Sequence, residues 1–188
     1  MSNNNEPFKK RFPKTTEIIF KTANFNSKIL LKFPKLEVGK SKIIKRGFYA
    51  GENIKKGGKI CPLIGILYRM NDQSMNNFEH SFQVMDNFAI EPVNESKFIN
   101  HSCNPNAFIN KDWIFEAIKD INKGEEITID YGTVDYDYYS FKCHCKSENC
   151  SKNLNGHISG RKSFIKKHGK YYSPYLKNKF VLRKNGKK

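Results

Sequence analysis

Apolar positions along this chain fall into short runs of strand length, each closed by Gly, Asn, Asp or Pro. Near the start, Glu17-Ile18-Ile19-Phe20 and Ser27-Lys28-Ile29-Leu30-Leu31-Lys32-Phe33 fit either a strand or a short helix. From Leu36 the pattern is β-rich. Lys42-Ile43-Ile44-Lys45 leads through Arg46-Gly47 into Phe48-Tyr49-Ala50, and turn signals follow at residues 51–53 and 55–58. The apolar run over residues 59–68 is interrupted at Pro62 and Gly65, which suits an irregular or edge strand. Residues 70–78 are Asn-rich, with room for one helical turn. Ser81-Phe82-Gln83-Val84-Met85 and Phe88-Ala89-Ile90 predict a hairpin around Asp86-Asn87. Ala107-Phe108-Ile109, Trp113-Ile114-Phe115-Glu116-Ala117-Ile118 and residues 125–132 complete the series. The pattern predicts a mainly β fold of short strands with little helix, helical segments being expected only beyond Arg161.

Composition adjusts this picture at the ends. The 188 residues suffice for one full domain plus tails, and 38% hydrophobic against 28% charged residues leaves part of the chain to solvent. The net charge is +16. No Asp or Glu follows Glu148, whereas Arg161, Lys162, Lys166, Lys167, Lys170, Lys177 and Lys179 do; Lys9, Lys10, Arg11 and Lys14 make the other end basic. Such ends serve solubility or contact with a polyanion such as nucleic acid. The sequence lacks a run of about 18 apolar residues and an apolar leader, so neither a membrane span nor export is expected. Five cysteines kept reduced favour metal binding over disulfides.

Three segments carry candidate chemistry. Phe98-Ile99-Asn100-His101-Ser102-Cys103-Asn104-Pro105-Asn106 is dense in donors and acceptors, with a thiol at its centre. On its own it reads equally well as a surface turn. Residues 125–132 end on Asp130-Tyr131-Gly132. Finally, Cys143-His144-Cys145 and Cys150 lie in a polar, Lys-rich stretch that offers buried structural cysteines few apolar neighbours. Three thiolates nearly complete a tetrahedral Zn²⁺ site. The fourth ligand is Cys103, His144 or His101, with Cys103 preferred. Cys61 reads as a small buried hydrophobe.

In this order and at these separations, the three segments resemble the SET-domain protein lysine methyltransferases with a post-SET zinc motif. The likeness covers roughly residues 36–160. The 98–106 segment resembles the family's Asn-His-Ser-Cys motif, residues 124–132 its second motif, and Cys143, Cys145 and Cys150 its post-SET spacing. The ending Tyr171-Tyr172-Ser173-Pro174-Tyr175-Leu176 is similar to compact, single-domain members. The resemblance implies small sheets around a knot-like active site. It divides the chain into a partly flexible basic segment (1–35), a SET domain (36–134), a post-SET zinc segment (135–160) and a basic tail (161–188).

It also implies an enzyme that transfers methyl from S-adenosylmethionine to the ε-amine of a lysine on a histone or other protein, acting as a monomer in the nucleus or cytoplasm. Arg46, Gly47, Phe48, Asn100, His101 and Tyr131 would contact the cofactor. Tyr131 would be catalytic, Phe82, Ile129 and His80 would line the substrate channel, and Cys103, Cys143, Cys145 and Cys150 would bind zinc. Phe48, Tyr49 and Phe141 are further wall candidates. The chemistry needs a neutral amine. With a lysine pKa of about 10.4, neutrality near pH 7 costs on the order of 4 kcal/mol, which a dry aromatic channel reduces. A general base is not expected in Tyr131, because a phenol with a pKa near 10 is rarely ionised at neutral pH.

The sequence departs from the family pattern at three points. Lys45 replaces a usual glycine, His80 stands where a tyrosine is common, and Ile129 occupies a position often held by Phe or Tyr. The smaller Ile129 leads to an expectation of di- or trimethylation. A catalytically silent SET-like module that binds chromatin or nucleic acid through its basic ends is the competing reading. Joint retention of Asn100, His101 and Tyr131 favours the enzyme, since binding alone requires none of that set.

Overall fold

The structure is a computed structural model that describes residues 15–22, 25–70, 80–136, 140–154 and 158–185. In chain order the strands are β1 (Thr15–Thr22), β2 (Phe25–Lys32), β3 (Leu36–Lys40), β4 (Arg46–Ala50), β5 (Lys59–Pro62), β6 (Gly65–Arg69), β7 (Phe82–Met85) and β8 (Phe88–Pro92). They continue as β9 (Asn100–His101), β10 (Ala107–Ile109), β11 (Ile114–Ala117), β12 (Glu126–Ile129), β13 (Phe141–Lys142) and β14 (Asn153–Leu154). Two helices follow, α1 (Lys162–His168) and α2 (Pro174–Asn185). The mainly β expectation holds, with α-helix confined to the region beyond Arg161.

The two early runs that fit either strand or helix are both strands, paired as a β1–β2 hairpin. The 59–68 run divides between two sheets. β5 is the edge of the order β10-β11-β5, and β6 is the edge of β6-β8-β7. Gly65 permits this switch, because a Cβ there would lie 2.1 Å from the Glu91 carbonyl oxygen. β7 and β8 form the expected hairpin, with Asn87 at φ +62° in its turn. The Asn-rich stretch expected to hold a helical turn lies outside the described residues, as do residues 1–14 of the basic N-terminal segment.

The sheet that builds the site has the order β3-β4-β12-β9. β12 runs antiparallel to β4 and parallel to β9, with Thr128 opposite Asn100 and Ile129 opposite His101. Beyond β9 the clasp continues. Ser102 N–H donates to the Ile129 carbonyl and Asn106 N–H to the Thr128 carbonyl, while the Asn106 side chain accepts from Thr128 N–H and donates to the Glu126 carbonyl. This interlock forms the knot-like centre of the fold.

The main core packs Phe48, Ile60, Ile99, Phe115, Ile127 and Ile129, all essentially without exposure, between the small sheets. Several of the strands are buried on consecutive residues, as Ile60-Cys61-Pro62 and Ile127-Thr128-Ile129 are, because other elements cover both of their faces. The basic C-terminal region departs from the solvated tail expected of it. Tyr172 and Leu176 are buried and pack with Trp113, Phe164 and Phe180 in a separate cluster, while Lys162, Lys166, Lys167 and Lys170 remain exposed. The inward positions at 172, 176 and 180 recur at helical spacing, a pattern masked by the lysines between them.

Candidate active site and thiol cluster

The site is assembled where β9 meets β12. Glu126 is its organising charge. Asn100 Nδ2 donates to Glu126 Oε1 (2.7 Å) and to the Arg46 carbonyl (2.8 Å), and Ser41 Oγ donates to the same carboxylate (2.8 Å). Gly47 is needed at this point, since a Cβ would sit 2.5 Å from Glu126 Oε1. The resemblance implies Gly47 as a cofactor contact; the group that crowds it in the structure is Glu126, which motif reading had passed over.

His101 faces two ways. Tyr131 N–H donates to its Nδ1 (3.2 Å), so Nε2 carries the ring proton and points at Cys103 Sγ, 3.2 Å away. Burial lowers the His101 pKa to about 4, which makes the imidazole neutral at physiological pH. Asp130 packs beside it, and burial raises that carboxyl to about 6 although Gly132 N–H opposes the shift. The Tyr131 hydroxyl donates to the Ile99 carbonyl (2.9 Å). Burial raises its pKa, helped by the charges of Asp135 and Glu126, so Tyr131 is a phenol rather than a base.

A cavity of about 460 Å³ opens beside these groups. Tyr131, Phe82, Phe141, His80, Asn100 and His101 all line it. The rings of His101, Tyr131 and Phe141 lie with centroids 5.4 to 5.9 Å apart. The other predicted residues lie outside this lining. Phe48 and Ile129 are fully buried in the core, and Tyr49 turns its hydroxyl to the Lys40 carbonyl. Arg46 stacks its guanidinium 4.1 Å from the Phe98 ring centre. With Ile129 in the core, the size argument for di- or trimethylation has no direct contact with the cavity.

Several lining residues were missed from the sequence, Ile43, Ile44 and Asp135 among them. Ile43 and Ile44 carry apolar surface to the cavity, Ile44 being about half exposed, and Asp135 contributes a carboxylate. The acidic-aromatic alternation Asp135-Tyr136-Asp137-Tyr138, which begins four residues after Tyr131, is the signal that could have found the last. Lys45, the substituted glycine, adopts a left-handed backbone with φ +36°. That conformation gives a physical reason for a glycine at the position.

The Sγ atoms of Cys103, Cys143, Cys145 and Cys150 all lie within 4.8 Å of one another, with Cys103 and Cys143 3.9 Å apart. A tetrahedral zinc with sulfur bonds of ~2.3 Å sets its ligands ~3.8 Å apart, so the donor set fits such an ion. Burial raises the Cys143 thiol. At Cys145 burial also opposes ionisation, but hydrogen bonds from Ser147 and Cys103 N–H outweigh it and lower the thiol to about 6. Were all four ionised at this spacing, a cation would be needed to offset their mutual repulsion. Neither histidine alternative is among the four grouped donors: His101 reaches the cluster only through Nε2 against Cys103 Sγ, its Nδ1 being held by Tyr131 N–H, and His144 is exposed at the cavity. Cys61 is buried in the main core, as read from the sequence.

Small sheets clasped around a β9–β12 crossing, with a tyrosine at its end and a thiol cluster alongside, define the SET class of fold. Residues 45–132 match the family model for the SET domain. It is 30% identical over 144 residues to a histone-lysine N-methyltransferase, H3 lysine-36 specific, of Candida albicans, covering 66% of this chain and 17% of that protein. The protein of the same description from Saccharomyces cerevisiae is 36% identical over 112 residues, covering 53% of this chain and 15% of the relative. Among solved structures, KRYPTONITE in complex with mCHH DNA, an H3(1-15) peptide and SAH is 28% identical, with a TM-score of 0.53 and coverage of 67% of this chain and 30% of that one. The chain thus spans less than a third of the length of each of these proteins. Among the described residues, no helix is long and apolar enough to cross a membrane.

Proposed function

We propose that this protein is an S-adenosylmethionine-dependent protein-lysine N-methyltransferase that modifies a histone or another protein. The observation that carries the reading is the Tyr131 hydroxyl, held on the Ile99 carbonyl at the wall of an aromatic cavity beside Asn100 and His101. Curated relatives named as histone-lysine methyltransferases support it. The cofactor fits the donor chemistry, because the cavity offers a largely apolar wall with an amide and a neutral imidazole at one end. Asn100 and His101 would hold it at the cavity wall, with Arg46, Gly47 and Phe48 on the strand that backs Asn100 through the Arg46 carbonyl. It supplies a methyl group activated on a sulfonium.

The remaining work belongs to the protein. Phe82, Phe141 and Tyr131 exclude water and disfavour the lysine ammonium. Tyr131 stays protonated and orients the amine instead of deprotonating it. His80 supplies the second polar group of the channel. Zinc held by Cys103, Cys143, Cys145 and Cys150 fixes the 141–154 segment, and hence Phe141, against the active site. The exposed lysines of α1 meet an acidic surface such as nucleic acid near the substrate, and that contact weakens steeply with salt. A nuclear location follows from a histone substrate.

Incubation with labelled S-adenosylmethionine and recombinant histones, ribosomal proteins and whole lysate tests the reading. Wild-type protein labels at least one lysine-containing protein, and Tyr131→Phe reduces labelling about 10²-fold or more. Absence of label on every candidate would return the protein to a binding module. Metal analysis of reduced protein is expected to give one zinc per chain.

A further inference from the structure

We propose that Asp135 receives the cationic head of the substrate lysine and takes its proton, leaving the amine neutral for methylation. This deepens the lysine-methyltransferase reading and rests on it.

Asp135 is the one carboxylate among the described residues lining the cavity, and it shares that lining with Tyr131, Phe82 and Phe141. Its backbone follows the short turn after Tyr131, with Asp135 N–H donating to the Tyr131 carbonyl. Gln83 fixes it from β7. Gln83 N–H donates to Asp135 Oδ1 (2.7 Å), and the Gln83 side-chain oxygen accepts from Tyr136 N–H (2.8 Å). Gln83 is itself buried, so this clamp is built into the core. Oδ1 is thereby engaged by the protein, while Oδ2 makes no hydrogen bond to any described residue. A partly buried carboxylate with one backbone donor and one oxygen left for the cavity is under-compensated, and a cation bound there would supply what it lacks.

Other titratable groups meet the cavity. Tyr131 has its hydroxyl proton on the Ile99 carbonyl and is held as a phenol. His101 is neutral, with Nδ1 occupied by Tyr131 N–H and Nε2 turned to Cys103. His80, His144, Lys97 and Lys142 complete the set, and neither lysine forms an ion pair with Asp135. Glu126, whose charge also reaches Tyr131, is committed to Asn100 and Ser41. A general base from Tyr131 is therefore excluded, and Asp135 stands closest in chemistry to the task.

Burial raises the Asp135 carboxyl to about 7, against the Gln83 hydrogen bond. The same dry surroundings lower the pKa of an entering ammonium, so the two values converge. In the step, one N–H bond of the ε-ammonium breaks and an O–H bond forms on Oδ2. The electron pair stays on nitrogen, and two opposite charges are removed from the cavity together. After methylation the carboxylic acid returns its proton to solvent through the cavity mouth.

Two readouts test this. First, cofactor-free protein is titrated with n-butylammonium, a lysine side-chain mimic, at about pH 8.5, where Asp135 is ionised; Asp135→Asn is expected to bind it about tenfold more weakly than wild type. S-adenosylhomocysteine affinity is expected to be the same in both. Secondly, initial methylation rates of the best-labelled protein are followed across pH. At pH 7 Asp135→Asn falls about tenfold or more, and its acid limb moves up by roughly one pH unit or more, toward the lysine's own ionisation. Asp135→Ser gives the same answers if the amide variant folds poorly, and Asp135→Glu restores part of the acid limb. Equal amine affinity in wild type and variant, or superimposable pH profiles, overturns the proposal. A wild-type protein that labels nothing at any pH instead removes the methyltransferase reading, and the proton-transfer step falls with it.

Discussion

The two walls of the cavity are held by different physics. Tyr131 stands at the end of β12, in a sheet whose strands bury Phe48, Ile127 and Ile129 in a continuous apolar core. Phe141 stands on a pairing of two residues with two, whose cluster contains one fully buried aliphatic side chain, Leu154, and four cysteines. The first wall follows from burial of apolar area, which needs only the chain. The second has little such area, and on the proposed zinc reading a bound ion would supply much of its free energy of ordering. On that reading, a site shared by two such walls is assembled in part by its core and in part by the ion at its thiols.

The most severe way to break that pairing is at the thiols. Cys143→Ser, or chelation of wild-type protein, is expected to abolish zinc binding and lower activity about 10²-fold. Limited proteolysis should then cut within residues 141–154 while residues 36–134 resist. Simultaneous loss of both regions would show that the ion holds up the entire fold. The reverse experiment is Phe115→Ala. Phe115 is fully buried and meets Phe82 edge to face at 5.6 Å, so its loss should cost about 3–5 kcal/mol of global stability in denaturant titration, with zinc content of the folded fraction unchanged.

A smaller effect sharpens the electrostatics of the core-held wall. Asp135 has a folded pKa near 7, above its ordinary carboxyl value. The stability linked to that shift is therefore fully present below the unfolded pKa and is lost as pH rises through about 7. Asp135→Asn should melt above wild type at pH 8, with the gap closing toward about pH 4. Thermal melts across that range check the sign. The smallest expected change is Lys45→Gly, which relieves a left-handed backbone and should stabilise by about 1 kcal/mol without altering zinc content.

Much of this arrangement was readable from the chain. The Asp86-Asn87 turn, the interrupted run at Pro62 and Gly65, and the three motif segments are local signals, and each appears where spacing put it. The partners across long sequence separations were not readable. Nothing near Gly47 announces Glu126, and nothing near Gln83 announces that its N–H and side-chain oxygen will grip Asp135 and Tyr136. Phe48 and Ile129 were expected at the site from the resemblance alone, and their full burial in the main core is a long-range outcome that no local pattern announces. The C-terminal cluster was concealed by composition, since its lysines dominate the average while Tyr172 and Leu176 make the contacts.

His101 ties the two walls together through one rigid ring. Its Nδ1 receives Tyr131 N–H and its Nε2 faces Cys103 Sγ. The imidazole is neutral, so it carries no charge from one side to the other; it transmits orientation alone. Thermodynamic reciprocity then applies. Whatever free energy a ligand gains at the thiols by settling that ring is returned, in equal amount, to the backbone that carries Tyr131. Metal affinity and order in the active site are thus two measurements of one coupling.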